Sequence, residues 1–131
     1  MVKKTPSPAK LRELVMQALY QKEMTGSSNT DLIKQFKQNN KNLNLKNFET
    51  YLKEIKKNSL DIDSIIEKHT NINIEQISKI ELAILKQAIY EIKNSNLDKP
   101  IIISEAIRLA KRFGQDSSHK FVNALLDKAV N

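Results

Sequence analysis

The chain has 131 residues, the size of one common domain, and 40% of them are hydrophobic, enough to bury a single core. It lacks cysteine, which excludes disulfides and thiolate chemistry, and its net charge of +7 favours anionic partners such as nucleic acid. Only 2 glycines and 3 prolines occur, none of the prolines within residues 9–99, which is too few turn residues for a β-rich domain. The predicted fold class is all-α. No apolar run approaches a membrane span, and no hydrophobic segment follows the N-terminal MVKKTPSPAK, so a cytoplasmic protein is expected.

Residues 1–6 read as a loose basic arm. Ser7 can cap a first helix with Pro8 at its first position, and Leu11, Leu14, Val15, Ala18 and Leu19 form its apolar stripe until Gly26. Tyr20 lies beside that stripe. A second helix is predicted over residues 30–38, with Leu32, Ile33 and Phe36 facing inwards. The Asn-rich connection QNNKNLNLKN is expected to be mobile. A third helix runs from Leu45 to about Lys68, because Leu45, Phe48, Leu52, Ile55, Ile62, Ile65 and Ile66 fit one face.

Asn71 and Asn73 mark a break, followed by a short helix near residues 74–78 and a longer one near 79–93. Ser78 and Glu81 are spaced as a capping box at the start of the longer helix. The last thirty residues form two helices around a sharp turn at Phe113, Gly114, Gln115 and Asp116. Ile103, Ala106, Ile107, Ala110 and Phe113 recur at helical spacing in the first, and Phe121, Val122, Leu125 and Leu126 in the second. Gly114 stands where a left-handed C-cap is expected, and Asp116 or Ser117 can cap the next helix. The total is about seven helices with no internal repeat.

Catalysis is not expected. His69 and His119 are far apart and stand in no metal-ligand spacing, and neither glycine has a second glycine nearby to build a phosphate loop. No cofactor and no metal are therefore predicted. Glu81, Glu91 and Glu105 lie in helices next to apolar positions, without a histidine or nucleophile to work with them.

Two basic clusters point instead to binding. The arm and first helix hold Lys3, Lys4, Lys10 and Arg12 with no acidic residue before Glu13. Cations at a helix N-terminus oppose the macrodipole, so helix stability does not explain them, whereas contact with a phosphate backbone does. A second cluster of Arg108, Lys111 and Arg112 flanks the last turn, with Lys120 beyond it. Phe121 is equally suited to the core and to stacking on a base. Lys34, Lys37, Lys41, Lys46, Lys53, Lys56 and Lys57 read as a solvated face.

Three stretches in order, KLRELVMQALYQ, IELAILKQAIYEI and SEAIRLAKRFG followed by SSHKFVNALLDK, closely resemble the NusB family of bacterial transcription antitermination factors. The resemblance spans nearly the whole chain. It implies two small helical bundles packed together, here about residues 7–69 and 74–130. It also implies binding of boxA RNA together with the small-subunit ribosomal protein that doubles as NusE. That pair joins the RNA to the RNA polymerase elongation complex with other Nus factors. Carried over by position, Lys10 and Arg12 fall in the family's basic RNA-binding segment, which Lys3 and Lys4 precede. Gln115, Asp116, Ser117, Lys120 and Phe121 fall at its second RNA-facing patch. Tyr20 and Glu81 match positions near the NusE side, with the capping box as the competing role for Glu81. Tyr90 and Glu91 are expected to be structural. Some relatives self-associate, which leaves a homodimer open.

The chain departs from the family pattern at Pro8 and Ala9, where arginines are common, at Ser117, often an aspartate, and at Ala124, usually glycine. Fewer arginines mean fewer forked phosphate contacts and a shallower salt dependence. Two rival readings follow: an adaptor that binds proteins without specific RNA recognition, and an accessory domain like that of some ribosomal RNA methyltransferases.

Overall fold

The computed structural model describes residues 2–130. Seven α-helices run in the order α1 (Pro8–Thr25), α2 (Asn29–Asn39), α3 (Lys46–Lys57), α4 (Ser59–Lys68), α5 (Lys79–Asn94), α6 (Lys99–Phe113) and α7 (Ser118–Val130). A single 3-10 turn, Ile74–Gln76, precedes α5, and no strand occurs among the described residues.

The helix starts follow from the capping chemistry of the sequence. Ser7 Oγ accepts the Lys10 N–H at 3.1 Å with Pro8 in the first turn. Ser28 Oγ does the same for Asp31, and Ser78 Oγ for Glu81. Gly26 ends α1 at φ 72°, a left-handed conformation that favours glycine. The Ser7, Gly26 and Ser78 ends lie where the sequence places them, and α2 starts one residue before its expected first residue, Thr30.

Three features differ from the sequence reading. The expected third helix is two helices broken at Asn58, whose side-chain amide donates to the Glu54 carbonyl at 2.7 Å and competes with helix continuation. The break leaves Leu52, Ile55, Ile62 and Ile66 all buried while α3 packs on α1 and α4 packs on α5. The N-terminal arm and the Asn-rich connection are not loose, because they hold each other. Lys4 N–H donates to the Asn42 carbonyl at 3.0 Å, Asn44 N–H donates to the Lys4 carbonyl at 2.8 Å, and Pro6 is buried.

The third concerns the last turn. Gly114 is extended rather than left-handed, at φ −91° and ψ −171°. Its lack of a side chain is required by close approach. A Cβ there would stand 2.7 Å from the Ala110 carbonyl oxygen and 2.7 Å from both Cβ and Oγ of Ser118. Of the two candidate caps, Ser117 takes the place before α7, its carbonyl accepting from the Lys120 and Phe121 N–H groups.

α5 is the central helix. It is apolar on nearly every side, as a helix enclosed by others must be, and it packs against α1, α4, α6 and α7. Leu82, Ala83, Ile84, Leu85, Ala88 and Ile89 are all buried. α1 lies along α5 and also touches α3, so the early part of the chain is fastened to the late part along much of its length. Stacked Phe36 and Phe48 rings, centroids 5.0 Å apart, join α2 to α3. α6 and α7 form the most extensive helix pair and close the fold around the last turn.

Gly114→Ala is expected to destabilise the fold by about 1–3 kcal/mol through overpacking. Gly26→Ala should cost about 1–2 kcal/mol through its φ alone, because nothing lies within 4 Å of the added Cβ. Urea unfolding of both variants measures this, and relief by Ser118→Gly in the Gly114→Ala background alone would locate the clash.

Candidate RNA and protein interface

The start of α1 is bound to α5 and α6 by ion pairs. Arg12 is 6% exposed. Its Nε donates to Glu91 Oε1 at 3.0 Å and to Oε2 at 3.2 Å, and its Nη2 donates to Glu91 Oε2 at 2.8 Å. Its Nη1 donates to Glu105 Oε1 on α6 at 3.2 Å. Glu105 also accepts from Arg108 Nε at 2.9 Å, and Arg108 Nη2 reaches the Ala9 carbonyl at 3.3 Å. One turn further on, Arg112 Nη1 donates to Glu13 at 2.7 Å. Three bonds thus fix the first turns of α1 alongside the second half of α6.

Titration follows this geometry. Hydrogen bonding to Glu91 holds the Arg12 pKa above its ordinary value, although burial opposes it. The Arg108 hydrogen bond, helped by the charges of Arg108 and Arg12, pulls Glu105 below the usual carboxylate value. Burial, then the Glu91 charge, pushes the Tyr51 hydroxyl up to about 12.

Arg12 is the main correction to the sequence reading. Its guanidinium is occupied inside the protein and is not available at the surface for a phosphate. The cation that seemed unexplained at a helix N-terminus is explained by Glu91, 79 residues away. Lys3, Lys4 and Lys10 are exposed, and so are Gln115, Asp116, Ser117 and Lys120. Phe121 is half-buried against the core cluster.

The Ala9–Arg108 and Glu13–Arg112 bonds bring the backbone around Lys10 beside the part of α6 that carries Lys111 and Arg112. Lys3 and Lys4 belong to the arm that pairs with residues 42–44. A shallow depression of about 330 Å³ brings Tyr20 of α1, Ile80 of α5, Phe113 of α6 and Gln115 of the last turn together. Glu81 reaches the same place. Its Oε2 accepts from Ser118 Oγ at 2.6 Å, so its carboxylate bridges to α7 instead of closing a capping box on Ser78.

Sequence reasoning missed Ser118, Glu13 and the partner role of Glu105. Ser118 carried a signal, since it stands at helical spacing from Val122 and Leu125 on the buried face of α7. Among the described residues, no group of His, Cys, Asp and Glu is placed to hold a metal ion, and no helix is long and apolar enough to cross a membrane.

Comparison with known proteins decides what this arrangement belongs to. Residues 9–131 match the model of the NusB family. The chain belongs to the NusB family. The transcription antitermination protein NusB of Tolumonas auensis is 35% identical over 124 residues, covering 92% of this chain and 90% of that one. The Escherichia coli O139:H28 NusB is 35% identical over 122 residues, covering 91% and 88%. In three dimensions, T. maritima NusB superposes with a TM-score of 0.88 at 26% identity, covering 96% of this chain and 92% of that one. A structure of antitermination factors NusB and NusE in complex with dsRNA superposes at 0.79 and 24% identity, covering 93% and 94%, and shares the fold. This NusB-family chain therefore has the seven-helix NusB architecture, with α1 and α6 fastened through Arg12 and its carboxylates.

Two predictions follow from the clamp. Arg12→Ala should cost about 3–5 kcal/mol because it leaves Glu91 buried and unpaired, and Arg12→Lys should recover little, lacking the fork that reaches both carboxylates. Chemical unfolding of the two variants measures this; full recovery with lysine would show that charge alone suffices. Glu105, with its depressed folded-state pKa, contributes stability that is present above its unfolded value of about 4.3 and lost as pH falls through the folded value. Glu105→Gln is accordingly expected to flatten the acid side of the stability profile below about pH 4, as read by thermal unfolding across pH.

Proposed function

We propose that this chain is a non-catalytic, cytoplasmic transcription antitermination factor. It binds boxA RNA together with the NusE-type ribosomal protein and joins that RNA to elongating polymerase with other Nus factors. The family supports this, since its matched relatives are named transcription antitermination proteins and a structural neighbour is NusB with NusE and dsRNA. The observation that carries the reading is the fastening of α1 to α6 by the Glu13–Arg112 and Ala9–Arg108 bonds. It joins the two basic clusters, 99 residues apart in sequence, into one surface.

On that surface Lys10, Lys111 and Lys120 are exposed and form no ion pair among the described residues, which leaves them for phosphate oxygens. Gln115, Asp116 and Ser117 present polar groups at the exposed turn, and Phe121 offers the outer part of its ring for stacking. Lys3 and Lys4 extend the positive field from the arm. Tyr20 and Glu81, at the depression beside the turn, form the docking point of the protein partner.

Lys111→Ala and Lys120→Ala are each expected to weaken binding of a boxA-containing RNA. Each should also shallow the slope of log affinity against log salt by about 0.7, the value for one phosphate contact on a single strand. Fluorescence titrations at several salt concentrations, with a scrambled RNA as control, provide the measurement. Unchanged slopes in both variants would remove this face as the RNA surface. Partner binding without discrimination between the two RNAs would favour the adaptor role.

A further inference from the structure

A cavity of about 250 Å³ lies between α1, α3, α4 and α5. It forms where the break at Asn58 ends α3 and starts α4, so that α3 packs on α1 while α4 packs on α5. Its floor belongs to the core: Leu19, Leu52, Ile55 and Ile62 line it, each at most 6% exposed. It shares no residue with the depression beside the last turn.

Three ammonium groups surround this apolar floor, from Lys22 of α1, Lys56 of α3 and Lys86 of α5. Only Lys86 is neutralised. Its Nζ stands 2.5 Å from Glu23 Oε1 and 4.0 Å from Asp63 Oδ1, so both nearby carboxylates are directed at it. Lys22 donates to the uncharged Asn29 Oδ1 at 2.8 Å, and neither Lys22 nor Lys56 forms an ion pair among the described residues. Burial, then the charges of Lys56 and Lys86, holds Lys22 below the ordinary lysine pKa, which places the three charges within one another's field. Lys22 and Lys56 each stand in the last turn of a helix, where the macrodipole favours a cation. That accounts for a basic residue in each turn, and not for the convergence of two on one apolar cavity.

An occupant suited to this site has an apolar body and one oxyanion. The body displaces water from the floor, and the oxyanion accepts from two ammonium groups that the chain leaves without a counter-charge. The volume falls just below the range of about 300–1,000 Å³ for drug-sized ligands, which suits a single ring or a short alkyl chain. We propose that this cavity binds a small organic anion, its body on the apolar floor and its carboxylate or phosphate held by Lys22 and Lys56. Carboxylate and phosphate share this oxyanion chemistry, and the test separates them. The site is independent of the RNA and partner faces, so its failure leaves the proposed function untouched.

The test is a titration of the full chain followed by amide and methyl NMR. Two probes, 4-phenylbutyrate and phenyl phosphate, carry both an apolar body and an oxyanion. Two others separate the parts: 4-phenylbutan-1-ol lacks the charge, and inorganic phosphate lacks the body. At least one of the first pair is expected to shift the methyl signals of Leu19, Leu52, Ile55 and Ile62 saturably, the tighter one identifying the preferred oxyanion. The alcohol should bind at least about fivefold more weakly, as the loss of one good, partly exposed ion pair implies. Lys22→Gln and Lys56→Gln should each weaken the anion by about two- to fivefold and leave the alcohol unchanged. Lys53→Gln, at an exposed lysine of α3 outside the cavity lining, should change neither.

Amide spectra check the fold of each variant. If Lys22→Gln, which also loses the Asn29 bond, does not fold, the exposed Lys56→Gln decides. Alcohol and anion binding with equal affinity would overturn the proposal, and so would anion affinity that both lysine variants leave at the wild-type value. Inorganic phosphate binding as tightly as phenyl phosphate would leave only surface charge, with no role for the floor. Shifts confined to other parts of the chain, or none up to the solubility of the probes, would overturn it outright.

Discussion

The fold depends on one buried ion pair. Arg12 and Glu91 face each other across α1 and α5, and Glu105 of α6 completes the arrangement from a third helix. Apolar packing along α1 is permissive, because Leu14, Val15, Ala18 and Leu19 would bury comparable area at neighbouring rotations or shifts of the helix. A forked guanidinium is not permissive. It must meet both Glu91 oxygens at about hydrogen-bonding distance or leave charges stranded in a dry site. Such a pair adds little net stability compared with well-packed hydrophobic residues, but it penalises every alternative register of α1 on α5. Register is therefore where its influence is concentrated.

Further contacts depend on that register. With Arg12 seated, Glu13 lies against Arg112 and the Ala9 carbonyl against Arg108, so two segments at opposite ends of the sequence share an edge. Tyr20, two turns along α1, is brought to the depression beside Ile80, Phe113 and Gln115. The depression and the exposed turn at residues 115–117 are thus placed by a bond that touches neither of them.

The helices themselves were legible because their causes are local. Ser7 with Pro8, Gly26 and Ser78 fix their ends by capping, and apolar spacing fixes their inner faces. The departures have other causes: two are contacts four residues away that apolar spacing does not reveal, and one is a partner distant in sequence. Asn58 has helical apolar spacing on both sides, and only its side-chain bond to Glu54 shows the break. Gly114 looks like a left-handed cap until Ser118 and the Ala110 carbonyl are seen to fill the space beside it. Arg12 reads as a surface cation in a basic stretch, although it stands at helical spacing from Val15 and Leu19, a hint of its burial. Its partner, 79 residues on, is not written in any local pattern. The exposed polar residues Lys10, Gln115 and Lys120 were thus legible one by one, whereas the burial of Arg12 and the arrangement around it were not.

The arrangement also changes the chemistry expected of the basic surface. All three arginines of the chain bond acidic groups of the protein itself: Arg12 to Glu91 and Glu105, Arg108 to Glu105, and Arg112 to Glu13. Arg12 is sealed in, whereas Arg108 and Arg112 keep part of their surface. What remains unpaired at the edge is lysine. Lysine is a compact, strongly hydrated charge that attracts phosphate without reading shape or base. A surface so composed attracts phosphate oxygens chiefly by charge, an attraction that weakens as salt rises. Recognition by shape would have to rest on other groups, such as the polar turn at residues 115–117 and the half-buried Phe121 ring. The exposed turn is itself tied to α5, through the hydrogen-bonded path from Glu81 by way of Ser118 to Gln115.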